Sequence, residues 1–265
     1  MEETASFETL HVHVDGAIGT LELARPDRLN AMSRALLAEL AEAARWFDAR
    51  RDVHVVVVQG QGRAFCAGFD LNDFRNPDPT LDMRATGDLG RLMAEAVTNM
   101  RALTIAAVQG RCVGGGLVLA AACDLRIAAD DAIFSIPEVD LGIPLAWGGI
   151  PRLVREIGPA LTKELVLTCR EFGAAEAHGL RFLNRVVPAA ELGAAAGELA
   201  RVMSTKSPLT LQVTKRHVNA VAESMGSTAA SGLDATILAA AMNDPASLAA
   251  GRAYLADRSA GRAKP

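Results

Sequence analysis

The chain has 265 residues, half of them apolar, and its 27 basic and 31 acidic side chains leave a formal net charge of −4. This length and apolar content fit one α/β domain with a sizeable core, while the charge balance and the aromatic content of 4% argue against a nucleic-acid-binding surface. The four cysteines form no CxxC pair and have no histidine at metal-ligand spacing, so we expect reduced thiols, no bound metal and a cytoplasmic location.

The first half of the chain alternates strands and helices, after an acidic N-terminus that lacks the apolar core of a signal peptide. Apolar residues on both sides of Asp15-Gly16 predict a β-hairpin, and helical spacing after an N-cap at Ser33 predicts a helix to about residue 48. The apolar runs "VHVVVVQG" and "TIAAVQG" predict strands buried on both faces. Between them we expect a loop, "RAFCAGFDLNDF", and a helix over 81–101. A helix opening with "GGGLVLAAAC" follows, and "DLRIAA" and "AIFSI" predict further strands.

The second half is predicted to be mainly helical, and no Ser/Pro-rich linker separates it from the first. Around a short strand "RVV", helices are expected over 159–169, 174–180, 188–204, from Pro208 onward, and over 231–242 and 245–257. We therefore divide the chain into a core over residues 1–200, a helical region over 201–257, and a disordered tail over 258–265.

Two glycine-containing loops follow the two buried strands, "FCAGFDLND" over 65–73 and "CVGGGLVLA" over 112–120. A plain turn would explain the first loop taken alone, and tight packing between a helix and a strand would explain the second. Neither contains GxGxxG or GK[ST], so a dinucleotide-binding or P-loop interpretation has little support. Because an oxyanion hole is built from paired backbone N–H groups, the two loops together predict such a site.

Three segments, "GRAFCAGFDL", "AAVQGRCVGGGLVLAAACDLRIA" and "FSIPEVDLGIPLAWGGIPRLVREIG", resemble the enoyl-CoA hydratase/isomerase (crotonase) superfamily. The resemblance spans roughly residues 10–225. It implies an α/β fold, a spiral of ββα units, followed by a C-terminal helical region that makes trimer contacts in a homotrimer or homohexamer. It also implies an acyl-CoA thioester as substrate, in which coenzyme A is part of the substrate and not a cofactor, and a place in fatty acid metabolism.

The resemblance assigns two backbone N–H groups to the thioester oxygen, here those of Ala67 and Gly115. It places CoA contacts on the "RPDRLNAM" loop, after the first glycine loop and on a late helix, at Arg28, Leu29, Ala31, Asp70, Leu71 and Lys215. Arg28 could equally be a solvated loop charge, and Lys215 could reach the CoA of a neighbouring subunit.

The hydratases of this superfamily use two glutamates, and this chain matches one of them. Glu138, in "SIPEVD", matches the second glutamate, whereas Val118 occupies the position of the first. Two carboxylates hold the water that adds across a double bond, but one base suffices to move a proton from carbon to carbon. We therefore predict an enoyl-CoA isomerase, with a hydratase that uses Glu138 alone and a low-turnover acyl-CoA-binding protein as alternatives.

The segment after Glu138 is apolar, so desolvation is expected to raise the pKa of this carboxyl group. We predict an acyl pocket formed by Phe69, Val118, Leu145 and Trp147. Asp140 is an alternative second acid, although a carboxylate in such a position is more often simply solvated. The five histidines do not cluster in the sequence, which argues against covalent catalysis and metal binding.

Overall fold

A computed structural model describes residues 6–75 and 83–261. Within these ranges the strands are β1 (Leu10–Asp15), β2 (Ile18–Leu23), β3 (Val55–Gly60), β4 (Ala64–Cys66), β5 (Leu103–Val108), β6 (Arg111–Val113), β7 (Leu125–Ala129), β8 (Ile133–Ser135), β9 (Phe172–Gly173) and β10 (Arg185–Val187). The helices are α1 (Arg34–Asp48), α2 (Leu71–Arg75), α3 (Met83–Asn99), α4 (Gly115–Ala122), α5 (Gly149–Thr168), α6 (Ala174–Gly179), α7 (Leu192–Ser204), α8 (Pro208–Met225), α9 (Asp234–Ala241) and α10 (Pro245–Gly261). Short 3₁₀ helices occupy Pro26–Arg28, Ala189–Glu191 and Ala229–Leu233.

The strands form a six-stranded sheet in the order β1-β2-β3-β5-β7-β10 and a four-stranded sheet in the order β4-β6-β8-β9. Strands β3, β5 and β7 run parallel in the first sheet, and β4, β6 and β8, which follow each of them along the chain, run parallel in the second. Each such pair of strands is followed by a helix or helices. The predicted spiral of ββα units with a C-terminal helical region is therefore confirmed.

Local signals in the first fifty residues predict the structure well. Strands β1 and β2 pair antiparallel, with Asp15 opposite Ile18, as expected for the hairpin. The hydroxyl oxygen of Ser33 accepts a hydrogen bond of 3.2 Å from the N–H of Leu36, so Ser33 is the N-cap of α1 as predicted.

The central sheet is covered on both faces, which explains its continuous apolar strands. Val56 and Val58 of β3 point into the main core, whereas Val55 and Val57 pack with Leu192 of α7 in a second apolar cluster. None of the described helices combines the length and apolarity needed to cross a bilayer.

Three predicted boundaries differ from the structure. The segment predicted as the loop "RAFCAGFDLNDF" contains β4 and α2, because a strand as short as β4 becomes recognisable only from its pairing with β6. Helix α5 begins at Gly149 and passes through a break at Gly158, where φ is 80°. In place of one helix over 231–242, a 3₁₀ helix precedes α9.

The predicted helix over 81–101 and the predicted tail over 258–265 extend beyond the residues that the structure describes. Helix α3 begins at Met83, and residues 81 and 82 of the predicted helix lie outside the described residues. Helix α10 continues to Gly261, so residues 258–261 are helical and not part of a disordered tail, while residues 262–265 lie outside the described residues. The division of the chain at residue 200 stays a prediction.

Candidate active site

The two glycine loops lie side by side. A Cβ built on Gly68 would lie 2.9 Å from the carbonyl oxygen of Val113 and 3.8 Å from the backbone nitrogen of Gly115. Gly68 also has a φ of 89°, in the left-handed region that a residue with a side chain rarely adopts. Glycine at this position therefore permits the close approach of the first loop to the start of α4.

The predicted assignment of the Ala67 N–H to an oxyanion hole is wrong. This group donates a hydrogen bond of 2.9 Å to the carbonyl oxygen of Leu29. It links the loop before α1 to the end of β4, and it is consequently not free to bind a substrate oxygen.

The N–H of Phe69 is free instead. On either side of it, the carbonyl of Gly68 accepts from the N–H of Met32 at 2.8 Å, and the N–H of Asp70 donates to the carbonyl of Met32 at 3.0 Å. Met32 and Phe69 are thus paired as in a parallel sheet, through the two neighbours of Phe69. In such a pair the N–H of Phe69 itself points away from Met32. No acceptor for it occurs within the described parts of the chain.

A second free N–H belongs to Gly115, the first residue of α4. The N–H groups at the very start of a helix have no intrahelical acceptor. In α4 the hydrogen bonds of the helix begin with Leu117 and Val118, whose N–H groups donate to the carbonyl of Gly114 at 2.9 and 3.1 Å. Over the ranges 6–75 and 83–261, Gly115 has no acceptor either. Unpaired N–H groups on Phe69 and on Gly115 thus lie on the two neighbouring loops.

The carboxyl group of Glu138 lies against the residue that precedes α4. A Cβ on Gly114, whose φ is 49°, would overlap Oε1 of Glu138. Glu138 follows β8, and its loop is closed by hydrogen bonds from the N–H of Leu141 to the carbonyl of Pro137 (3.0 Å) and from the N–H of Ile143 to the carbonyl of Glu138 (2.9 Å). Gly114 therefore makes room for the acid next to the free N–H of Gly115.

Burial controls the charge of this acid. Oε2 of Glu138 is buried and has no hydrogen-bond partner among the described residues. Desolvation raises the pKa of Glu138 from the ordinary 4.5 to about 7, and a hydrogen bond from its own backbone N–H offsets only part of this effect. A carboxyl group with a pKa near neutrality both accepts and returns a proton readily.

The position of the missing acid is filled by packed apolar groups. Val118 is 0% exposed, and a Cβ on Gly149 would lie 3.0 Å from its Cγ2 and 2.9 Å from Cγ of Leu145. Asp140, the alternative second acid, is exposed, and its carboxylate interacts with the thiol of Cys169. Val118 and Leu145 thus supply apolar surface where a second acid would hold water.

Two aromatic side chains border the same space. The rings of Phe69 and Trp147 meet edge to face, with centroids 6.0 Å apart and an interplanar angle of 78°. A Cβ on Gly115 would overlap the six-membered ring of Trp147. The structure therefore brings together the predicted residues Phe69, Gly115 and Trp147.

The predicted CoA loop lies beside Phe69, because Met32 at its end pairs with that residue. Arg28 is exposed, and Leu29, Ala31 and Leu71 are partly exposed. Asp70 is 7% exposed, and its carboxylate accepts a hydrogen bond of 2.9 Å from Arg25, so its observed role is to hold this loop.

Lys215 is not brought to the other predicted residues. It is 6% exposed, and its Nζ lies 2.7 Å from Oδ2 of Asp124 and 2.9 Å from the carbonyl oxygen of Ala102. Asp124 follows the C-terminal end of α4, whereas Gly115 begins this helix. In the single chain Lys215 anchors α8 to the core, because its ammonium group is already paired.

The sequence pattern of the enoyl-CoA hydratase/isomerase family matches residues 13–259. The chain belongs to this family. A relative from Mycobacterium bovis, named probable enoyl-CoA hydratase echA8, is 38% identical over 83% of this chain and 84% of its own length. The peroxisomal Delta(3,5)-Delta(2,4)-dienoyl-CoA isomerase of Arabidopsis thaliana is 34% identical over 81% of this chain and 82% of its own.

Solved structures of family members share the fold. The crystal structure of an enoyl-CoA hydratase/carnithine racemase from Magnetospirillum magneticum superimposes with a TM-score of 0.79 at 32% identity, over 94% of each chain. Among the relatives compared, most are named hydratases. Membership of the family therefore establishes an enoyl-CoA hydratase/isomerase fold and leaves the reaction to the site residues.

Sequence reasoning missed three features of this family member's site. It selected the correct loop but the wrong N–H, since the pairing of Met32 with Phe69 decides which group is free. It gave no role to Gly114, which the unbroken "GGG" could have indicated. It also missed Gly90, whose contact with Trp147 has no signal in the sequence.

Proposed function

We propose that this chain shifts the double bond of an enoyl-CoA, with Glu138 as the single proton carrier. The observation that carries the proposal is the fully buried Val118 at the position where the family's hydratases have their first glutamate. Its neighbours Leu145 and Gly149 leave apolar surface there. A water molecule would lack one of the two carboxylates that orient it for addition.

The proposed reaction begins with binding of the thioester oxygen by the N–H groups of Phe69 and Gly115. The ionised carboxylate of Glu138 removes a proton from C2 of a 3-enoyl-CoA, and the electron pair of that bond is delocalised into a dienolate. The two N–H groups and the start of α4 stabilise the negative oxygen. Glu138 then returns the proton to C4, which leaves the double bond between C2 and C3.

The buried, unpaired carboxyl oxygen of Glu138 argues against a low-turnover acyl-CoA-binding protein. Burying a carboxyl oxygen without a partner costs free energy of folding, and Oε2 of Glu138 is such an atom within the described residues. A binding protein would gain stability from an apolar residue at this position. A role in proton transfer therefore explains this buried acid better than ligand binding alone does.

The hydratase alternative is favoured by the names of most relatives, and Val118 provides the test. In Val118→Glu a second carboxylate faces the site, so hydration of crotonyl-CoA should rise by at least about tenfold, since aligned acid–base groups contribute about 10²–10⁴-fold. Val118→Gln has the same size without the charge and should leave hydration unchanged. Both rates are measured by the loss of enoyl thioester absorbance, with thermal unfolding as the check on folding.

If wild-type chain hydrates crotonyl-CoA rapidly and Val118→Glu hydrates it more slowly, Val118 belongs to a working hydratase site. The single-glutamate isomerase is then the wrong choice.

The remaining assignments are proposals as well. We propose that Arg28, Leu29, Ala31 and Leu71 contact CoA, because their loop and α2 flank Phe69. Assembly into a trimer or hexamer is supported by exposed apolar side chains along α8, which are Leu209, Val213, Val218, Val221 and Met225. A cytoplasmic location and a place in fatty acid metabolism stay predictions.

A further inference from the structure

The indole of Trp147 fills the gap between α3 and the start of α4. A Cβ on Gly90 of α3 would overlap the five-membered part of the ring, and a Cβ on Gly115 of α4 would overlap the six-membered part. The side chain is buried, at 9% exposure, and Phe69 packs against it edge to face. The indole therefore fits at this place only because residues 90 and 115 are glycines.

The backbone at Trp147 is held in a conformation that this residue type rarely adopts. Trp147 and Gly148 have φ values of 62° and 68°, and the left-handed region is unfavourable for a side chain as large as tryptophan. The guanidinium of Arg152 donates to the carbonyl oxygens of Trp147 (3.3 Å) and Gly148 (3.1 Å). The carboxylate of Asp234, at the start of α9, accepts from the N–H of Gly148 at 2.8 Å.

These contacts give the ring a fixed place relative to the proposed chemistry. A thioester oxygen bound at the N–H of Gly115 would lie next to the indole, because the ring of Trp147 packs against Gly115. If CoA approaches from the side of the Arg28 loop, as proposed above, the acyl group would extend toward Glu138, which lies against Gly114, and toward Trp147, which lies against Gly115. Beyond the reacting carbons the acyl chain would then meet the face of the ring.

We propose that Trp147 closes the acyl end of the site and restricts the chain to compact, short acyl groups, and that Asp234 is the positioning residue that holds the ring there. This inference rests on the proposed acyl-CoA site. It makes Trp147 a determinant of chain length, and it connects the C-terminal helical region to substrate choice through one hydrogen bond.

The first experiment measures dissociation constants of saturated acyl-CoA esters, which bind without reacting. Wild-type chain should bind butyryl-CoA at least about tenfold more tightly than decanoyl-CoA, since a single methylene without space in an apolar pocket already costs about tenfold or more. Trp147→Gly opens the gap between α3 and α4, and glycine tolerates the φ of 62° at this position. This variant should bind decanoyl-CoA at least as tightly as butyryl-CoA, and Trp147→Phe should fall between the two.

The second experiment tests the positioning role of Asp234. Asp234→Ala removes the acceptor for the N–H of Gly148 and should shift the preference part of the way toward decanoyl-CoA. Asp244→Ala is the matched control, because Asp244 also accepts a backbone N–H, that of Ser247 at 2.8 Å, at the start of α10. The control should keep the wild-type preference, whereas a purely structural effect would weaken both esters equally in both variants.

The outcomes separate this inference from the proposed function. If wild-type chain binds neither ester, the acyl-CoA site itself is wrong. If it binds both with equal affinity, or if folded Trp147→Gly and Trp147→Phe keep the wild-type preference, Trp147 does not close the site. If Asp234→Ala and Asp244→Ala show the same preference, Asp234 is not the positioning residue.

Discussion

Replacing Glu138 with glutamine should lower kcat for conversion of 3-hexenoyl-CoA to 2-hexenoyl-CoA by about 10²–10⁴-fold, the range of a positioned general base. Glutamine has nearly the same shape, but it cannot take the proton from C2. Binding should persist, with the dissociation constant of butyryl-CoA within about threefold of the wild-type value, so the loss lies in kcat. The two quantities are measured on the same preparation by absorbance and by calorimetry.

One control accompanies this variant. Asp140→Asn removes the exposed carboxylate two positions after Glu138 and should retain full activity. This result would exclude Asp140 as a second catalytic acid. Full isomerase activity in Glu138→Gln, or an equal loss in Asp140→Asn, would contradict the assignment of Glu138 as the single proton carrier.

The same substitution should stabilise the fold above neutral pH. The pKa of Glu138 is about 7 in the folded chain against an ordinary 4.5, so the folded state binds this proton more tightly than the unfolded state does. Between these values stability falls as pH rises, by ~3 kcal/mol once Glu138 is ionised in both states. Glu138→Gln should therefore unfold at a higher temperature than wild type at pH 8 and at a similar temperature at pH 5.

Substituting alanine for Gly115 should remove most of the stabilisation of the enolate oxygen. The new methyl group lies next to the free N–H and against Trp147, so the thioester oxygen is displaced from its donors. Loss of one oxyanion-hole donor costs about 10²–10³-fold in kcat, and we expect a loss of that size on 3-hexenoyl-CoA. Acetoacetyl-CoA, which forms a stable enolate, should lose its enolate absorbance in this variant.

Gly90→Ala is the matched control for Gly115→Ala. Its methyl group also pushes against the indole of Trp147, but from α3, and it leaves both free N–H groups uncovered. It should retain the enolate absorbance of bound acetoacetyl-CoA. If both variants lose the signal equally, displacement of Trp147 explains the effect, and Gly115 is not a donor to the thioester oxygen.

The layers of the fold were predictable, but most of the second sheet was not. Strands such as β3 and β5 carry long apolar runs because both of their faces are covered, and Asp15-Gly16 marks the hairpin by turn chemistry alone. Of the strands in the second sheet, β8 was predicted from "AIFSI", whereas β4 and β6 have only three residues each and carry no strand signal of their own. Their identity comes from pairing with one another, which depends on contacts between distant parts of the chain.

The chemistry of the site was partly predictable for a related reason. Glu138 and Val118 follow from motif positions, and the apolar segment after Glu138 correctly indicates desolvation. The free N–H could not be assigned from the sequence, because hydrogen bonds to another segment decide it. The carbonyl of Leu29 accepts from the N–H of Ala67, whereas Met32 bonds to the neighbours of Phe69 and leaves the N–H of Phe69 free. The family resemblance places the ammonium of Lys215 near CoA, whereas its observed pairing with Asp124 joins residues far apart in the sequence.

The proposal that a single glutamate moves a proton without adding water is tested most directly by the wild-type products. Purified chain is supplied with 3-hexenoyl-CoA at neutral pH, and mass spectrometry follows 2-hexenoyl-CoA and 3-hydroxyhexanoyl-CoA in the same reaction. A single-glutamate isomerase should accumulate 2-hexenoyl-CoA first, with the hydroxyacyl product at least about tenfold slower to form. If 3-hexenoyl-CoA stays unchanged while crotonyl-CoA is hydrated rapidly, Val118 has been misinterpreted and the chain is a hydratase.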